Sequence, residues 1–494
     1  MRLQKAAGKP AAAIIRFSII VTITCCWFLI FTSCTTRSAL RKENLAESTV
    51  NNEFIPAIAS IKKNPKWYGK TNSFLYHMDI GVLYHYAEMY DSSNTYLLRA
   101  VDIFDELFAR SVTNEAASIL VNDNIRPYRS KPYELIMVHQ LISLNFLAKG
   151  NVESALVETR QANLLLEQLQ IKNKNGTKYD SDGMYHYLSS IAYDEAGETS
   201  DAMISLYHAV KAFQEGPIPL PANIRNRAYR MFKLNDREDD IRLLDLPRPR
   251  NSEDLLKIGN RDEEIIFIGY AGRGPVVEEQ VWWGTWIKDG LLVLHYNGPD
   301  GEETLQLPAP SLPAKELKKN GDKGKTKSGT TFHIKVALPA IKTIPSATKK
   351  FALHLDGKKK YYTSIVINNF DTQAEKYLED TKNTTIVRTV TRVVLRTIAS
   401  EKTKSKLQSN SGIANLLTNV ATDILTDQLE KADTRSCFLL PKTVQIVRIP
   451  VSPGVHSVAI TAQDKNGNVL TTKKISDITV DKHQKKFVFY SSFK

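Results

Sequence analysis

Two stretches of the chain repeat the same spacing of aromatic and small residues, and this repeat constrains the fold more than any other feature. In each copy a glycine follows the aromatic residue by four positions, an alanine follows by five more, and a second alanine by seven more. The copies are Phe146, Gly150, Ala155 and Ala162, and then Tyr193, Gly197, Ala202 and Ala209. A looser upstream copy contains Gly81, Tyr84, Ser93, Leu97 and Ala100. Apolar residues at helical spacing surround these copies, which together predict helical hairpins between residues 74 and 214.

The pattern resembles the tetratricopeptide repeat, in which small residues lie where two helices meet and an aromatic residue fills the space beside them. The glycine is expected to end the first helix of each hairpin in a left-handed conformation, because it has no Cβ atom. Ala155 and Ala202 are expected where two backbones approach closely. The copies are 47 residues apart, more than the usual repeat of about 34, so each unit must carry an insertion. An ordinary amphipathic helical bundle is the alternative interpretation.

The start of the chain has the features of a secretory leader. Basic residues precede an apolar run of 15 residues at 17–31. This run is shorter than the about 20 residues that a membrane-spanning helix needs, but it suits the apolar region of a signal peptide. The run ends in Phe31-Thr32-Ser33-Cys34, which is similar to the bacterial lipoprotein box, although Phe31 stands where that family prefers an aliphatic residue.

We therefore expect residues 1–33 to be a lipoprotein signal peptide and Cys34 to receive the lipid. The small residues before Cys34 would let the peptidase approach the backbone, and Cys34 would become the first residue of an anchored protein. An uncleaved N-terminal anchor and a plain secretory signal cut elsewhere are the alternatives. Thr35 follows Cys34 in place of the Asp that would favour inner-membrane retention, so the expected location is the outer membrane.

Charge and cysteine content fit an exported protein. The net charge is +13, and four of these charges belong to the leader. Nucleic acid is nevertheless not expected as a partner of an exported chain. Cys25 and Cys26 lie in the leader, and Cys437 is the one cysteine left after Cys34, so the mature chain cannot form an intramolecular disulfide. We expect Cys437 to be a buried thiol, since no nearby histidine would activate it.

Shifts in composition and periodicity divide the chain. Runs with strand character at 264–270, 291–296, 331–337, 443–449 and 486–490 follow the helical region. The predicted fold class is α+β, with an N-terminal α-helical tetratricopeptide-like solenoid followed by a β-rich, sandwich-like domain with inserted helices. The predicted segments are the signal peptide at 1–33, a tether at 34–70, the helical domain at 71–245, a linker at 246–260 and the β-rich domain at 261–494, with a helical insertion at about 371–430.

Two basic segments of the second half have a structural and a functional interpretation. The lysine-rich stretch 315–327 is typical of a solvated loop, but it could contact anionic lipid headgroups or other anionic envelope polymers. Arg388, Arg392 and Arg396 are four residues apart and would share one face of a helix. We expect a solvated stripe there; a helix at 386–398 lying on the membrane surface is the alternative.

Short motifs in both halves are similar to those of an uncharacterised family of bacterial lipoproteins. In the first half they are Tyr84-His85-Tyr86-Ala87, Asn122-Asp123, Pro127-Tyr128-Arg129 and Tyr133-Glu134 with His139. In the second half they are Asp433-Thr434-Arg435-Ser436, Leu440-Pro441, Ile446, Arg448, Pro450 and Pro453-Gly454. Cys437 stands where that family usually carries Trp. The resemblance spans about residues 70–490 and implies an envelope location, a tetratricopeptide-like helical domain and a C-terminal β-rich domain, with no catalytic residue to transfer.

The loop with Tyr128, Arg129 and Tyr133 is the candidate partner-binding segment, because exposed Tyr and Arg are common at binding hot spots. The alternative is structural, with both tyrosines covering a hydrophobic seam and Arg129 pairing with Glu134.

The sequence lacks the common histidine metal-binding motifs and the serine nucleophile motif. The ten histidines form no His-x-x-x-His or His-Glu-x-x-His pair, and there is no Gly-x-Ser-x-Gly element. We therefore expect no catalytic residue, no metal site and no cofactor. The main prediction is a lipid-anchored cell-envelope scaffold or adaptor that holds protein partners in the groove of its helical repeats. The alternatives are a peptidoglycan- or glycan-binding protein that uses the C-terminal β-domain, with Trp282, Trp283 and Trp286 as the stacking surface, and an envelope hydrolase.

Overall fold

The computed structural model describes residues 43–111, 124, 126–172, 182–249, 263–299, 301–311, 329, 331–407 and 431–494. Over these residues the protein is a mixed α+β fold in which helices are mostly N-terminal and strands mostly C-terminal. The predicted order of an α-helical region followed by a β-rich region is confirmed.

Helical hairpins build the N-terminal half. The helices are α1 (described residues 43–50), α2 (Phe54–Lys63), α3 (Ser73–Tyr86), α4 (Tyr90–Ser111), α5 (Pro132–Ala148), α6 (Val152–Lys172), α7 (Gly183–Ala196), α8 (Thr199–Glu215), α9 (Ala222–Leu234) and α10 (Glu238–Leu243). The pairs α3–α4, α5–α6 and α7–α8 each pack as a hairpin, and each hairpin packs on the next. No helix of the described residues is both long enough and apolar enough to cross a membrane.

The first two helices correct the predicted tether at 34–70. Leu45, Phe54, Ile58 and Ile61 are buried in the same hydrophobic core as the hairpins. Phe54, Ile58 and Ile61 are four and three residues apart, which places them on one face of α2. The lysines of α2 lie on its exposed side, so the segment has the composition of a tether although it folds as an amphipathic helix. The helical domain therefore starts upstream of residue 71.

Three four-stranded sheets follow. Sheet I contains β1 (Glu264–Arg273), β8 (Ile365–Asn369), β9 (Pro441–Pro450) and β12 (Lys485–Ser492). Sheet II contains β6 (Lys350–Leu355), β7 (Tyr361–Thr363), β10 (Gly454–Gln463) and β11 (Val469–Val480). Sheet III contains β2 (Val276–Ile287), β3 (Leu291–Gly298), β4 (Gly301–Pro308) and β5 (Thr331–Lys342). Their strand orders are β12–β1–β9–β8, β11–β10–β6–β7 and β4–β3–β2–β5.

Sheet I is the central layer of the molecule. Its strand β1 pairs in parallel with β12 and antiparallel with β9. Ile266 and Ile268 on one face belong to the core shared with the helices, while Ile265 and Phe267 on the other face belong to the core shared with sheet II. A strand covered on both faces has a continuous apolar sequence, which explains the run in β1. Sheets I and II thus form two layers of a sandwich, with the helices as a third layer.

Sheet III packs separately against one long helix, α11 (Phe370–Leu407). Trp282, Trp286 and Val336 of the sheet meet Val390 and Val394 of the helix in a core of their own. Helix α11 follows directly on β8, so it connects this unit to sheet I. The predicted helical insertion is present up to residue 407, and residues 408–430 lie outside the described part of the chain.

Candidate functional site

The repeat residues predicted from the sequence form the inside of the helical hairpins. Gly150 and Gly197 adopt φ angles of 75° and 77° at the ends of α5 and α7. The buried members of the set are Gly81, Ala100, Ala155, Ala162, Tyr193, Ala202 and Ala209, and the partly buried ones are Tyr84 and Phe146. Ser143 Oγ donates to the carbonyl oxygen of Ala155 at 3.1 Å, and a Cβ atom added to Gly81 would lie 2.6 Å from the side chain of Leu97. The buried members of this set therefore pack the helices of the hairpins together.

The face of the hairpins that was predicted to form a groove is covered by the chain's own sheet I. His85 of α3 is fully buried, and its Nε2 lies 2.7 Å from the hydroxyl oxygen of Tyr270 in β1. Its Nδ1 is 2.6 Å from Oδ1 of Asn145 in α5, and burial lowers the pKa of His85 to about 4. Tyr86 donates to the carbonyl oxygen of Leu439 at 3.1 Å. The expectation of an open groove is therefore wrong for this face.

A large concave site lies where the helical region, α11 and sheet III meet, and we call it the basic cavity. Its volume is about 460 Å³, which is within the usual range for small-molecule sites. Among the described residues that line it, seven side chains are cationic: Arg126, Arg129, Lys131, Arg388, Arg392, Lys431 and Arg435. Two are acidic, Asp380 and Asp433.

One face of α11 forms a wall of the basic cavity. Thr381, Thr385, Arg388 and Arg392 line it, and their spacing of four, three and four residues places them on one side of a helix. Arg388 is exposed, whereas Arg392 is only 2% exposed and donates to Thr389 Oγ1 at 3.4 Å. The predicted solvated stripe is therefore wrong at Arg392. Spacing put the arginines on one face, but it could not show that Arg392 is buried while Arg388 is exposed.

The loop before α5 forms a second wall, organised by the buried carboxylate of Glu134. Glu134 accepts hydrogen bonds from the Tyr128 hydroxyl at 2.6 Å, the Lys131 backbone N–H at 3.0 Å and the Cys437 backbone N–H at 2.9 Å. Lys131 Nζ lies 3.6 Å from Glu134 and donates to the carbonyl oxygen of Arg435 at 2.7 Å. Burial, with the nearby Glu134 carboxylate, raises the pKa of Tyr128 well above its usual value.

The third wall is the segment before β9, residues 431–440, which we call the strap. Arg435 forms a two-point ion pair with Asp433, at 2.7 and 2.6 Å. It also donates to Asn72 Oδ1 at 3.1 Å and to the carbonyl oxygen of Arg126 at 2.9 Å. These contacts fix the strap to the helical region, so the cavity wall is built from segments that are more than 300 positions apart in sequence.

Cys437 lies in the strap, beneath the basic cavity, and is buried as predicted. Its Sγ donates to Asp79 Oδ1 at 3.2 Å, and Asp79 Oδ2 accepts from the Tyr68 hydroxyl at 2.6 Å. Burial, followed by the charges of Asp79 and Glu134, raises the pKa of Cys437 well above its usual value. A thiol in this environment is a poor nucleophile.

The structure separates the three residues of the predicted binding loop. Tyr128 and Tyr133 are buried, at 3% and 8% exposure, so they do not form an exposed aromatic surface. Arg129 is exposed. Within the described residues the carboxylate of Glu134 pairs with Lys131 and not with Arg129, which corrects the structural alternative as well. All three residues do line the basic cavity.

A second group of charged residues joins α7 and α9 to sheet I, and we call it the junction cluster. It contains Asp194, Glu195, Arg227, Glu264, Arg448 and Lys485. Glu264 accepts from Arg227 Nη1 at 3.0 Å and from Arg448 Nε at 2.9 Å. Lys485 Nζ lies 3.1 Å from Asp194. Burial would raise the pKa of Glu264, but Arg227 and Arg448 lower it to about 2.

The tryptophans proposed as a sugar-stacking row point to opposite faces of sheet III. Trp282 and Trp286 are buried against α11, at 5% and 1% exposure. Trp283 is 58% exposed, and Lys335 Nζ lies 4.8 Å from its ring centre. The three residues therefore do not form one exposed aromatic row.

Several predicted features lie outside the described residues. They are the leader with Cys34, the lysine-rich stretch 315–327 and residues 250–260 of the predicted linker.

The chain was compared with known protein families and with curated proteins. Neither models of known protein families nor curated proteins match this chain. Among the described residues, no three His, Cys, Asp or Glu side chains are grouped so as to hold a metal ion.

Proposed function

We propose that this protein is a lipid-anchored adaptor of the bacterial cell envelope that performs no catalysis and binds its partner at the basic cavity. Its N-terminal hairpins are of the tetratricopeptide-like solenoid type, which is supported by the left-handed Gly150 and Gly197 and by the buried alanines at the helix contacts. The lipid on Cys34 would attach the chain to the outer membrane.

The observation that carries this proposal is the basic cavity itself. Helical repeats usually hold partners on their concave face, but here sheet I fills that face through contacts such as His85 with Tyr270. A partner must therefore bind elsewhere. The basic cavity is concave, reaches the exposed side chains of Arg129 and Arg388, and is lined by the helical region, α11 and the strap.

The alternative of a glycan binder acting through the β-domain has less support. Sugar rings stack on exposed aromatic faces, and of the three candidate tryptophans Trp283 alone is exposed. The alternative of a hydrolase would require clustered carboxylates in a pocket, whereas seven of the nine charged residues in the described lining of the basic cavity are cations.

The proposal is tested by comparing the full chain with Cys34→Ala in a bacterial host. We expect the unsubstituted chain to have a mass that starts at Cys34 plus acyl groups and to fractionate with the outer membrane, and the variant to lose both properties. Equal mass and equal fractionation of the two chains would contradict the anchor.

The binding site is tested by site-specific crosslinking in the envelope. A photoreactive amino acid replaces the exposed Arg129 at the cavity or, as a matched control, the exposed Lys474 on sheet II. We expect a discrete crosslinked partner from position 129 and none from position 474. The same crosslinks from both positions, or none from position 129, would contradict the proposed site.

A further inference from the structure

We propose that His456 forms a pH-operated latch with Asp356 and Ser452 at the corner where sheets I and II join. The protonated ring holds two turns of the chain together, and loss of its proton releases one of them. The proposal is independent of the basic cavity and of the lipid anchor, because every contact that it uses lies within the β-rich region.

The corner is the turn between β9 and β10, at residues 451–453. Strand β9 belongs to sheet I and β10 to sheet II, so this turn carries the chain from one layer of the sandwich to the other. The turn between β6 and β7 lies beside it, since its Asp356 accepts a hydrogen bond from the backbone N–H of Ser457 in β10. Two turns that are distant in sequence therefore meet at the corner.

An irregularity in β10 gives the Asp356 carboxylate its place. The register of β10 with β11 shifts between His456 and Val458, and Ser457 lies within this shift. The Ser457 N–H donates to Asp356 Oδ1 at 2.8 Å, and the Asp356 N–H donates to the carbonyl oxygen of Ser457 at 2.9 Å. These contacts fix Asp356 to β10 and leave its second carboxylate oxygen for His456.

Both ring nitrogens of His456 face hydrogen-bond acceptors. Nδ1 lies 3.0 Å from Asp356 Oδ2, and Nε2 lies 2.7 Å from the carbonyl oxygen of Ser452. A carboxylate and a carbonyl group accept hydrogen bonds but donate none, while neutral imidazole has one N–H and imidazolium has two. Both contacts can therefore be hydrogen bonds only when the ring is protonated.

The surroundings of the ring favour the same state. Burial would lower the pKa of His456, but its hydrogen bonds with Asp356 and Ser452 raise the pKa above the ordinary 6.5. Asp356 and Lys358, the charged groups that shift this pKa, both belong to the β6–β7 turn, and Lys358 opposes protonation. The β9–β10 turn contributes the neutral Ser452 carbonyl, and the residue paired with His456 in β11 is the apolar Ile478.

The direction of the pH effect follows from these shifts. Because the pKa of His456 is raised on folding, the latch stabilises the corner fully below about pH 6.5 and is lost as the pH rises through the folded-state pKa. Neutral His456 has one N–H and must release either Asp356 or the Ser452 carbonyl. On the acid side the latch holds until Asp356 takes up a proton, and His456 lowers the pKa of Asp356 below the ordinary 3.8.

The protonation state is tested by nitrogen-15 NMR of the full chain labelled at histidine, with the His456 signals assigned from their loss in His456→Gln. We expect both ring nitrogens to carry protons at about pH 5.5 and the pKa to lie above 6.5. Asp356→Asn should lower this pKa, because it removes the charge but keeps an oxygen for the Ser457 N–H. A pKa at or below 6.5, or one that Asp356→Asn leaves unchanged, would overturn the latch.

Release of the corner is tested by amide hydrogen exchange over residues 451–457, measured at about pH 5.5 and about pH 8.5 and corrected for the intrinsic exchange rate. We expect opening to increase by roughly two- to fivefold at the higher pH, the range of a partly exposed ion pair. His456→Gln should open equally at both pH values, because glutamine does not titrate.

The matched control for the exchange experiment is His295→Gln, which removes an exposed histidine of sheet III. This variant should keep the pH dependence of the unsubstituted chain. Equal exchange at both pH values in the unsubstituted chain, or a pH dependence that survives His456→Gln, would contradict the proposal.

Discussion

The junction cluster and the basic cavity both gather charged side chains between helices and strands, but they differ in balance and in access. The junction cluster has three acids and three bases, and each side chain is at most 10% exposed. The basic cavity has seven cations and two acids among its described lining residues, and Arg129 and Arg388 are exposed.

The junction cluster pairs its charges inside the fold, whereas the described lining of the basic cavity includes the exposed cations Arg129 and Arg388. Buried charges cost several kcal/mol each unless a partner offsets the lost hydration, so a closed cluster must be balanced. An excess of one sign is tolerated where water or a ligand can reach it. We therefore assign a structural role to the junction cluster and propose partner binding at the basic cavity.

The largest effect on the free energy of unfolding is expected when Glu264 of the junction cluster is substituted. Glu264→Gln leaves Arg227 and Arg448 buried without their shared carboxylate, and the free energy of unfolding should fall by about 3–5 kcal/mol. Denaturant titration measures this change. Glu167→Gln, at an exposed position in α6, is the control and should change stability by less than about 0.5 kcal/mol. A loss of unfolding free energy at Glu264 no larger than that of the control would contradict a structural role for the junction cluster.

Lowering the pH should remove the contribution of Glu264 to the free energy of unfolding. The expected loss is slightly smaller than that caused by Glu264→Gln. Glu264 has a pKa of about 2 in the folded chain against the ordinary 4.5, so its contribution is full above pH 4.5 and disappears as the pH falls toward 2. The loss is about 3 kcal/mol, since each pKa unit corresponds to about 1.4 kcal/mol. Glu195 has the opposite effect on stability as the pH falls, because burial raises its pKa.

The acid prediction is measured as the difference between the unsubstituted chain and Glu264→Gln. His85, with its pKa lowered to about 4, destabilises the fold between about pH 6.5 and 4 in both chains, so its effect cancels in the difference. Parallel stability curves of the two chains below pH 4.5 would contradict the assignment to Glu264.

Substitution of Lys485 should have a smaller effect on stability than substitution of Glu264, because the other cations of the junction cluster partly compensate for its loss. Lys485→Met removes the cation 3.1 Å from Asp194, while Arg227 and Arg448 remain at 3.8 and 3.9 Å from that carboxylate. We expect a loss of about 2 kcal/mol in unfolding free energy. The adjacent Lys486→Met on the same strand is the control. A loss at Lys485 as large as that at Glu264 would show that the cluster does not share its charges.

The smallest change in stability is expected at the basic cavity. Arg129→Gln removes an exposed cation from a region of excess positive charge, so the free energy of unfolding should change by less than about 0.5 kcal/mol. Thermal unfolding at low ionic strength is the measurement. A loss of more than about 1 kcal/mol would mean that Arg129 supports the fold rather than a ligand.

Local sequence signals predicted the elements that depend on neighbours in the chain. The left-handed glycines, the buried alanines of the hairpins and the apolar run of β1 follow from short spacings. Strand β2 was missed because Glu278, Glu279 and Gln280 interrupt its apolar residues, and it forms through pairing with β5. The amphipathic α2 has the composition of a tether because its exposed face carries lysines, although its apolar face is buried.

The charged sites depend on residues that are distant in sequence, so no local pattern identified them. Glu264 meets Arg227 at a separation of 37 residues and Arg448 at 184. The basic cavity joins Arg129, Arg388 and Arg435 from three separate segments. The sequence predicted that the arginines of α11 share a face, but it could not predict that the fold buries Arg392 and leaves Arg388 exposed.

The most direct test measures the free energy of unfolding of three chains: unsubstituted, Glu264→Gln and Arg129→Gln. Glu264 is buried between Arg227 and Arg448, whereas Arg129 is exposed at the basic cavity. We predict that Glu264→Gln lowers stability by about 3–5 kcal/mol and that Arg129→Gln changes it by less than about 0.5 kcal/mol. Equal losses in the two variants would contradict the division between a structural and an exposed group of charges.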